Sequence, residues 1–353
     1  MPTRATQQTF PAFRRGFRWS RSSDARLLGL PLSEMDVRVE DTWVAGELAE
    51  LHADLERRGV AFRPHTWVSN DWFSPKGVPG FAIPFYLLHP RLMRLERKQM
   101  LEVDGGSRED CLKNLRHECG HAVQEAYRLN RRRRWRELFG RSGQRYPSGY
   151  RPDPASRDHV QHLRLYYAQA HPDEDFAETF AVWLDPSTDW RALYAGWPAL
   201  KKLEYVDEVM NEIRAAPAPV QSRSRIDPLE SLSQTLGDYY KAKRRHYSPG
   251  AHLPDVPTDD LERLFTTDPG RARHEPATSF VRRNRREVRT LVARWTGEYE
   301  FTLDQVIDEM VAHCRELNLR AVGPERTLRM HFALLLTVRT IHFLYSPRNW
   351  IPL

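Results

Sequence analysis

The chain has 353 residues, which is enough for one domain of about 200 residues with extensions, or for two domains. Apolar residues make up 40% of it, so a packed globule is expected, and the net charge of +7 would suit an anionic partner without identifying one. Three cysteines without a C-x-x-C pair exclude a disulfide framework and a cysteine-based zinc knuckle. Because no signal-peptide-like stretch or long apolar run occurs, we expect a cytoplasmic protein with no membrane association.

The amino-terminal part predicts a lead-in, a helix and a small sheet. Residues 1–35 are basic and lack periodicity, so they predict a poorly ordered segment. Residues 41–58 repeat apolar positions at helical spacing, and residues 60–69 and 80–88 are β-like stretches separated by a turn rich in proline and glycine. The second stretch contains Pro84, which favours an edge strand; it is a candidate surface for an extended substrate, or otherwise an ordinary core strand.

The remainder of the chain predicts helices. One begins after Ser107 with a capping-box-like pattern and continues to Ala126. Further helical patterns follow at 155–169, 172–184, 200–215, 229–245, 279–295, 303–317 and 324–345. Prolines at 217 and 219 place a domain boundary in residues 215–224. We therefore predict a catalytic domain over 36–216 and a helical carboxy-terminal portion over 225–353, in a predominantly helical α+β fold.

The strongest chemical signal is the H-E-x-x-H pentad from His117 to His121. On a helix, residues four apart lie on one face, about 5 to 6 Å apart at Cβ, so both imidazoles can bind one metal ion. Glu118 lies beside that face and can act as general base towards a water without binding the metal itself. Two histidines and a carboxylate suit catalytic zinc, with one coordination position left open.

A third ligand decides which class of zinc site this is. The metzincin pattern would need glycine and histidine where the chain has Gln124 and Tyr127, so that class is excluded. The gluzincin pattern needs a glutamate on a later helix with an acidic residue one turn on, which Glu174 and Glu178 supply. Glu174 would then be the third ligand, and Glu178 would accept the other ring N–H of a histidine ligand. Taken alone, these residues also suit a solvated acidic helix start.

Residues 166–184, together with the pentad, resemble the bacterial putative zinc-binding metallopeptidase family, a gluzincin-like group. Residues 72–75 and 84–90 also look like that family, so the resemblance spans roughly residues 69–184 and is lost after about Tyr247. A more distant likeness is to the lethal-factor toxin protease. The resemblance implies a gluzincin-like core with a small β-sheet and an active-site helix, and it implies Glu174 as the ligand.

The same resemblance implies a catalytic tyrosine seven residues before the ligand glutamate, which is Tyr167, with the adjacent Tyr166 as the alternative. The expected activity is hydrolysis of peptide bonds by water activated by one zinc ion per chain. Two alternatives stay open: a zinc hydrolase of non-peptide amides, and a basic scaffolding protein with a structural zinc site. In the second, the arginines in residues 131–136 and 282–286 would bind nucleic acid, which no recognisable nucleic-acid-binding module supports. The expected partner is a peptide or protein substrate, and the net charge of +7 would suit an acidic one. The oligomeric state stays open.

Overall fold

The structure is a computed structural model, and it describes residues 17–247, 257–344 and 351–352. Helices dominate this part of the chain. In order they are α1 (Asp24–Leu28), α2 (Val44–Arg57), α3 (Pro90–Met100), α4 (Arg108–Tyr127), α5 (Arg133–Phe139), α6 (Pro172–Leu184), α7 (Trp190–Leu193), α8 (Leu200–Ile213), α9 (Leu236–His246), α10 (Thr258–Leu264), α11 (Ala277–Thr296), α12 (Glu300–Glu316) and α13 (Glu325–Leu344). A helical fold with a small sheet agrees with the predicted α+β class.

The strands form two short pairs. β1 (His65–Ser69) and β2 (Gly80–Pro84) are parallel, and Ser69 lies opposite Pro84 at the end of the register. β3 (Gly149–Tyr150) and β4 (Ile351–Pro352) are antiparallel. Every residue of β2 is buried, and Ala82 also bridges to Phe73 on its other side. The second β-like stretch is therefore a core strand, and its residues 85–88 form a 3-10 turn instead of an edge open to substrate.

The chain forms two compact units. The first unit comprises the described residues within 1–99, 103–146 and 155–241. The second unit comprises the described residues within 100–102, 147–154 and 242–353. The main division therefore lies at Lys241, later than the boundary predicted in residues 215–224. The difference has a physical cause, because α9 is tied to the amino-terminal region: the N–H of Leu236 donates to the carbonyl of Leu30.

Part of the predicted lead-in is structured. Residues 17–35 form short helical turns that bury Trp19, Leu27 and Leu32. The indole N–H of Trp19 donates to the carbonyl of Met35, which anchors this segment. The expectation of poor order is thus wrong for residues 17–35, because their apolar side chains reach the core. Residues 1–16 lie outside the part of the chain that the structure describes, so the expectation is not tested there.

The two motif helices, α4 and α6, pack closely against each other. Ser107 caps α4 as predicted, because its hydroxyl accepts the N–H of Asp110 at 3.0 Å and also lies 2.6 Å from the Asp110 carboxylate. At the crossing, a Cβ on Gly120 would lie 2.8 Å from the Cα of Ala177. The surface that approaches Gly120 is therefore α6.

The predicted helix over residues 155–169 is wrong. Residues 164–169 form a 3-10 segment interrupted by Leu165 and Tyr166, which have left-handed φ values of 60° and 57°. The two left-handed residues interrupt the helical backbone, and the N–H of Leu163, just before the segment, donates to the Glu178 carboxylate at 2.8 Å. The segment instead lies beside α6 and brings Tyr167 close to α4. In the described part of the chain, no helix is long and apolar enough to cross a bilayer.

Candidate metal centre

Three side chains from α4 and α6 point their donor atoms at one another. The Nε2 atoms of His117 and His121 are 3.2 Å apart, and each lies 3.1 Å from the same oxygen, Oε2, of Glu174. His117 and Glu174 are buried, and His121 is partly exposed. The two helices thereby bring together the three residues that the sequence predicts as metal ligands.

The size of this triangle fits a zinc ion. Ligand atoms about 2.0 to 2.1 Å from a tetrahedral zinc are roughly 3.3 Å apart, close to the three distances seen here. One carboxylate oxygen and two imidazole nitrogens also form a donor set that zinc prefers. Three ligands leave the fourth tetrahedral position for a water or a substrate atom, as in catalytic rather than structural zinc sites.

Glu178 orients the first histidine from one turn further along α6. Its Oε1 lies 2.7 Å from Nδ1 of His117, while its Oε2 accepts the backbone N–H of Leu163 at 2.8 Å. A hydrogen bond at Nδ1 keeps the Nε2 lone pair of His117 free to face a metal. Glu178 is completely buried, so these two bonds satisfy a carboxylate that would otherwise be costly to bury.

The charges of the triangle are strongly coupled. Burial opposes protonation of His117, but its hydrogen bonds to Glu174 and Glu178 outweigh burial and raise its pKa. The pKa of His121 is raised in the same way, against burial, by the charge of Glu174. Burial favours the neutral acid at Glu174, yet the charge of His121 and the bonds to both histidines hold its pKa well below the usual range. In the metal-free protein this coupling therefore favours charged histidines facing an ionised Glu174.

Glu118 lies beside the triangle without being part of it. It is buried, and the hydroxyl of Ser74 donates to its Oε2 at 3.0 Å. Burial raises the pKa of Glu118, and the nearby histidines partly offset the rise. A raised pKa suits a carboxylate that must accept a proton and later release it.

An open cleft of about 240 Å³ leads to these residues. Tyr167 lines it, and its ring centroid lies 5.6 Å from that of His117. Tyr166 is not among the residues that line the cleft. Of the two candidate tyrosines, Tyr167 is therefore the one whose position suits a catalytic role. The rest of the wall is formed by Trp72, Phe73, Ser74, Lys76, Gln124, Glu125, Tyr146 and Asp173.

Tyr146 is a site residue that the sequence does not reveal. Its hydroxyl donates to Oε1 of Glu174 at 2.8 Å, and its ring stacks on His171 with centroids 3.8 Å apart. Burial and the charge of Glu174 raise the pKa of this hydroxyl, so it stays protonated and remains a donor. Lys76 lies over the ring and donates to the carbonyl of Ser142. The only sequence signal is that residues 140–154, where Tyr146 lies, form the irregular break between the motif helices.

The arginine runs are largely engaged in ion pairs. In the first run, Arg132 pairs with Glu212, Arg133 with Glu137, and Arg134 with Glu208. In the second run, Arg283 pairs with Glu275, and Arg285 pairs with Asp304 at 2.5 Å and with Asp308 at 2.6 Å. These arginines already have anionic partners within the protein, as expected for solvated helix surfaces.

A buried triangle of two histidines and a glutamate, beside an open cleft with a further glutamate, defines the donor set of a zinc hydrolase. Residues 95–195 match the model of the family described as putative zinc-binding metallo-peptidase. The match includes the pentad as well as Glu174 and Glu178 of α6, and it supports the general class of zinc peptidases. No match was found among curated proteins or among solved structures.

Proposed function

We propose that the protein is a gluzincin-like zinc peptidase in which His117, His121 and Glu174 hold one zinc ion per chain. The observation that carries the proposal is the triangle of donor atoms with sides of 3.1 to 3.2 Å. The family match over residues 95–195 supports the same class of activity. The cleft beside the triangle gives a substrate access to the position that the three ligands leave open.

Glu118 is the proposed general base. When bound, the ion supplies Lewis acidity, which polarises the scissile carbonyl and makes water acidic enough to lose a proton near neutral pH. Glu118 takes that proton from the attacking water and delivers it to the leaving amine. Ser74 holds one oxygen of the Glu118 carboxylate, which leaves the other free for the proton transfer.

Tyr167 is the proposed donor to the negative charge that develops on the carbonyl oxygen. Its place on the cleft wall, near the ring of His117, supports this role. Glu178 would keep His117 in the tautomer that binds metal through Nε2. Tyr146 would hold the second oxygen of Glu174, so that Oε2 alone faces the ion.

The charged residues of the cleft wall indicate which substrates the site would accept. Besides Glu118 and Glu174 it contains the carboxylates of Glu125 and Asp173, against one cation, Lys76. A wall with this balance favours neutral or basic side chains next to the cleaved bond, because an acidic one would meet like charge. The acidic substrate expected from the net charge would then have to place its carboxylates away from the cleft.

Metal analysis combined with a peptide-library digest tests the proposal. We expect about one zinc per chain in the wild type and in Glu118→Gln, and a fall in kcat of at least about 100-fold in the variant. Glu125→Gln is the matched control, because this cleft carboxylate accepts the N–H of Gly77 and glutamine can do the same. The control should retain most of the activity.

Two results would argue against the proposal. Equal hydrolysis by the wild type and Glu118→Gln would reject the assigned mechanism. A zinc-loaded protein that cleaves no peptide but hydrolyses small amides would shift the activity to non-peptide substrates.

A further inference from the structure

Helix α13 is apolar on two opposite faces. One face is buried in the core of the second unit, through Leu328, Phe332, Leu336, Thr340 and Leu344. The opposite face is exposed, through Met330, Leu334, Val338 and Ile341. These four residues are spaced by four, four and three positions, which keeps them in one stripe along the helix. A helix that is apolar on both sides is normally covered on both sides, and among the described residues nothing covers this stripe.

Helix α11 extends this stripe. Arg283 pairs with Glu325 and Glu287 pairs with Arg329, so both ion pairs join α11 to α13 at the same offset along the chain. The two helices therefore run parallel. Carrying that offset one and two turns further places Leu291 and Trp295 level with Ala333 and Thr337, each one residue before a member of the stripe on α13. Both are exposed, and Trp295 is 77% exposed, which is unusual for a tryptophan.

The rim of this surface is positive. On α11 and α13 the only acidic residues are Glu287 and Glu325, and both are already paired. Arg294 follows Leu291 by three residues on α11, and Arg326 precedes Met330 by four on α13. Neither forms an ion pair within the described residues. The surface thus combines an apolar stripe with unpaired cations and no free carboxylate on either helix.

We propose that this face of α11 and α13, formed by Leu291, Trp295, Met330, Leu334, Val338 and Ile341, docks an amphipathic helix of another protein whose apolar stripe is bordered by acidic residues. The 4-4-3 spacing is that of a seam between packed helices, which one additional helix can cover. A second copy of this chain fits poorly, because it would bring the same cations together. The surface lies in the second unit, so the proposal is independent of the peptidase activity.

A peptide-binding measurement with the full chain tests the proposal. The probe is a labelled 18-residue helical peptide with leucines at 4-4-3 spacing and glutamates on both borders; a second peptide has lysine at every glutamate position. We expect a Kd on the order of 10 μM for the glutamate peptide and binding at least about tenfold weaker for the lysine peptide. The double variant Leu334→Asp with Val338→Asp should bind the glutamate peptide at least about tenfold more weakly than the wild type does.

Two further variants make the result specific. Leu193→Asp changes an exposed leucine on α7 and should leave binding unchanged. Arg294→Glu keeps the apolar stripe but reverses a rim charge, so it should weaken the glutamate peptide and strengthen the lysine peptide. Thermal unfolding of each variant verifies that it folds.

Several outcomes would overturn the proposal. The proposal is wrong if the glutamate peptide shows no saturable binding, or if both peptides bind equally well. It is also wrong if the double aspartate variant binds the glutamate peptide as tightly as the wild type does. Sedimentation showing a dimer that the double variant abolishes would make the face a self-association surface instead. Cosedimentation of wild type, but not of the variant, with vesicles of phosphatidylserine and phosphatidylcholine would make it a membrane-binding surface.

Discussion

At the scale of single residues, the carboxylate of Glu174 is held from two sides. Its Oε2 lies 3.1 Å from both histidines, while its Oε1 accepts the hydroxyl of Tyr146. A carboxylate fixed in this way offers one defined oxygen to a metal and cannot rotate into a bidentate position without losing the tyrosine. Hydrogen bonds of this kind, made by residues that do not touch the metal, commonly contribute 10-fold to 100-fold to metal affinity.

We therefore expect Tyr146→Phe to weaken zinc binding by about tenfold or more, with the fold retained. Competition with a chromogenic chelator measures the affinity directly and does not depend on activity. Tyr194→Phe is a matched control, because its hydroxyl bonds to the backbone of Gln161 and to none of the three residues of the triangle. Equal zinc affinity in Tyr146→Phe and the wild type would show that the tyrosine does not position Glu174.

The protonation of the two histidines gives a prediction for pH. The pKa values of His117 and His121 are raised in the metal-free protein, as described above, and zinc binds only the neutral imidazoles. Zinc must therefore displace protons, so its affinity falls as pH falls and binding releases protons. Calorimetric titrations in buffers with different ionisation enthalpies count the protons released. Binding that releases none at neutral pH would contradict the raised pKa values.

The three residues of the triangle could be predicted to lie together because each lies on a regular helix. A spacing of four residues on a helix places His117 and His121 on one face, and likewise Glu174 and Glu178, whatever surrounds them. Tyr146 could not be predicted in this way. It reaches Glu174 from an irregular segment whose path depends on contacts such as that of Lys76 with Ser142. The role of Tyr167 as a hydrogen-bond donor to the developing negative charge stays a prediction.

At the scale of elements, the distance between α4 and α6 controls the site. Gly120 lies between Glu118 and His121 on α4, and Ala177 lies between Glu174 and Glu178 on α6. A Cβ on Gly120 would meet the Cα of Ala177 at 2.8 Å and its carbonyl oxygen at 3.0 Å. Both contacts are with backbone, so the helices themselves would have to move apart.

Gly120→Ala should therefore destabilise the protein by about 1 to 3 kcal/mol and also weaken zinc binding, because Glu174 moves away from the histidines. Gly46→Ala is the control: this glycine is also inside a helix, α2, but a Cβ there meets nothing within 4 Å. It should stabilise the protein by about 0.5 to 1 kcal/mol. Chemical denaturation and chelator competition measure the two effects. A neutral Gly120→Ala would mean that α4 and α6 tolerate separation.

Elements with strong periodicity were predictable, and segments held by tertiary contacts were not. The patterns over 172–184 and 279–295 correspond to α6 and α11 with shifts of at most a few residues at their ends. Pro172 occupies the first turn of α6, and the side chain of His171 caps the helix by accepting the N–H of Asp173. The helices α1, α3, α5, α7 and α10 were not predicted. The pattern over 155–169 failed because two left-handed residues interrupt the segment and the N–H of Leu163 donates to Glu178 of α6.

At the scale of the whole molecule, the second unit has a hydrophobic core of its own. This core is drawn from α10 to α13 and includes Phe280, Met310 and Phe332, all at most 1% exposed. The proposed zinc ligands all belong to the first unit. A ligand that binds only the folded state stabilises the unit that contains its site. Zinc should therefore act on one unit and leave the other unchanged.

Differential scanning calorimetry with and without zinc tests this expectation. At free zinc about 100 times its Kd, the stabilisation is about 2.7 kcal/mol, which raises the midpoint of a unit of this size by roughly 5 to 10 °C. We expect two transitions, of which only one moves with zinc. Phe332→Ala should lower the other transition, because it leaves a cavity in the second core at a cost of about 3 to 5 kcal/mol.

Glu174→Gln should remove the zinc-dependent shift while leaving both transitions in place, since it takes away a ligand and no core residue. If zinc raised both transitions equally in the wild type, the two units would unfold as one cooperative body. The Phe332→Ala variant would then lower both midpoints together, so the assignment of each transition does not depend on the zinc result alone. If zinc moved only the transition that Phe332→Ala lowers, the metal would bind in the second unit and the ligand set proposed here would be wrong.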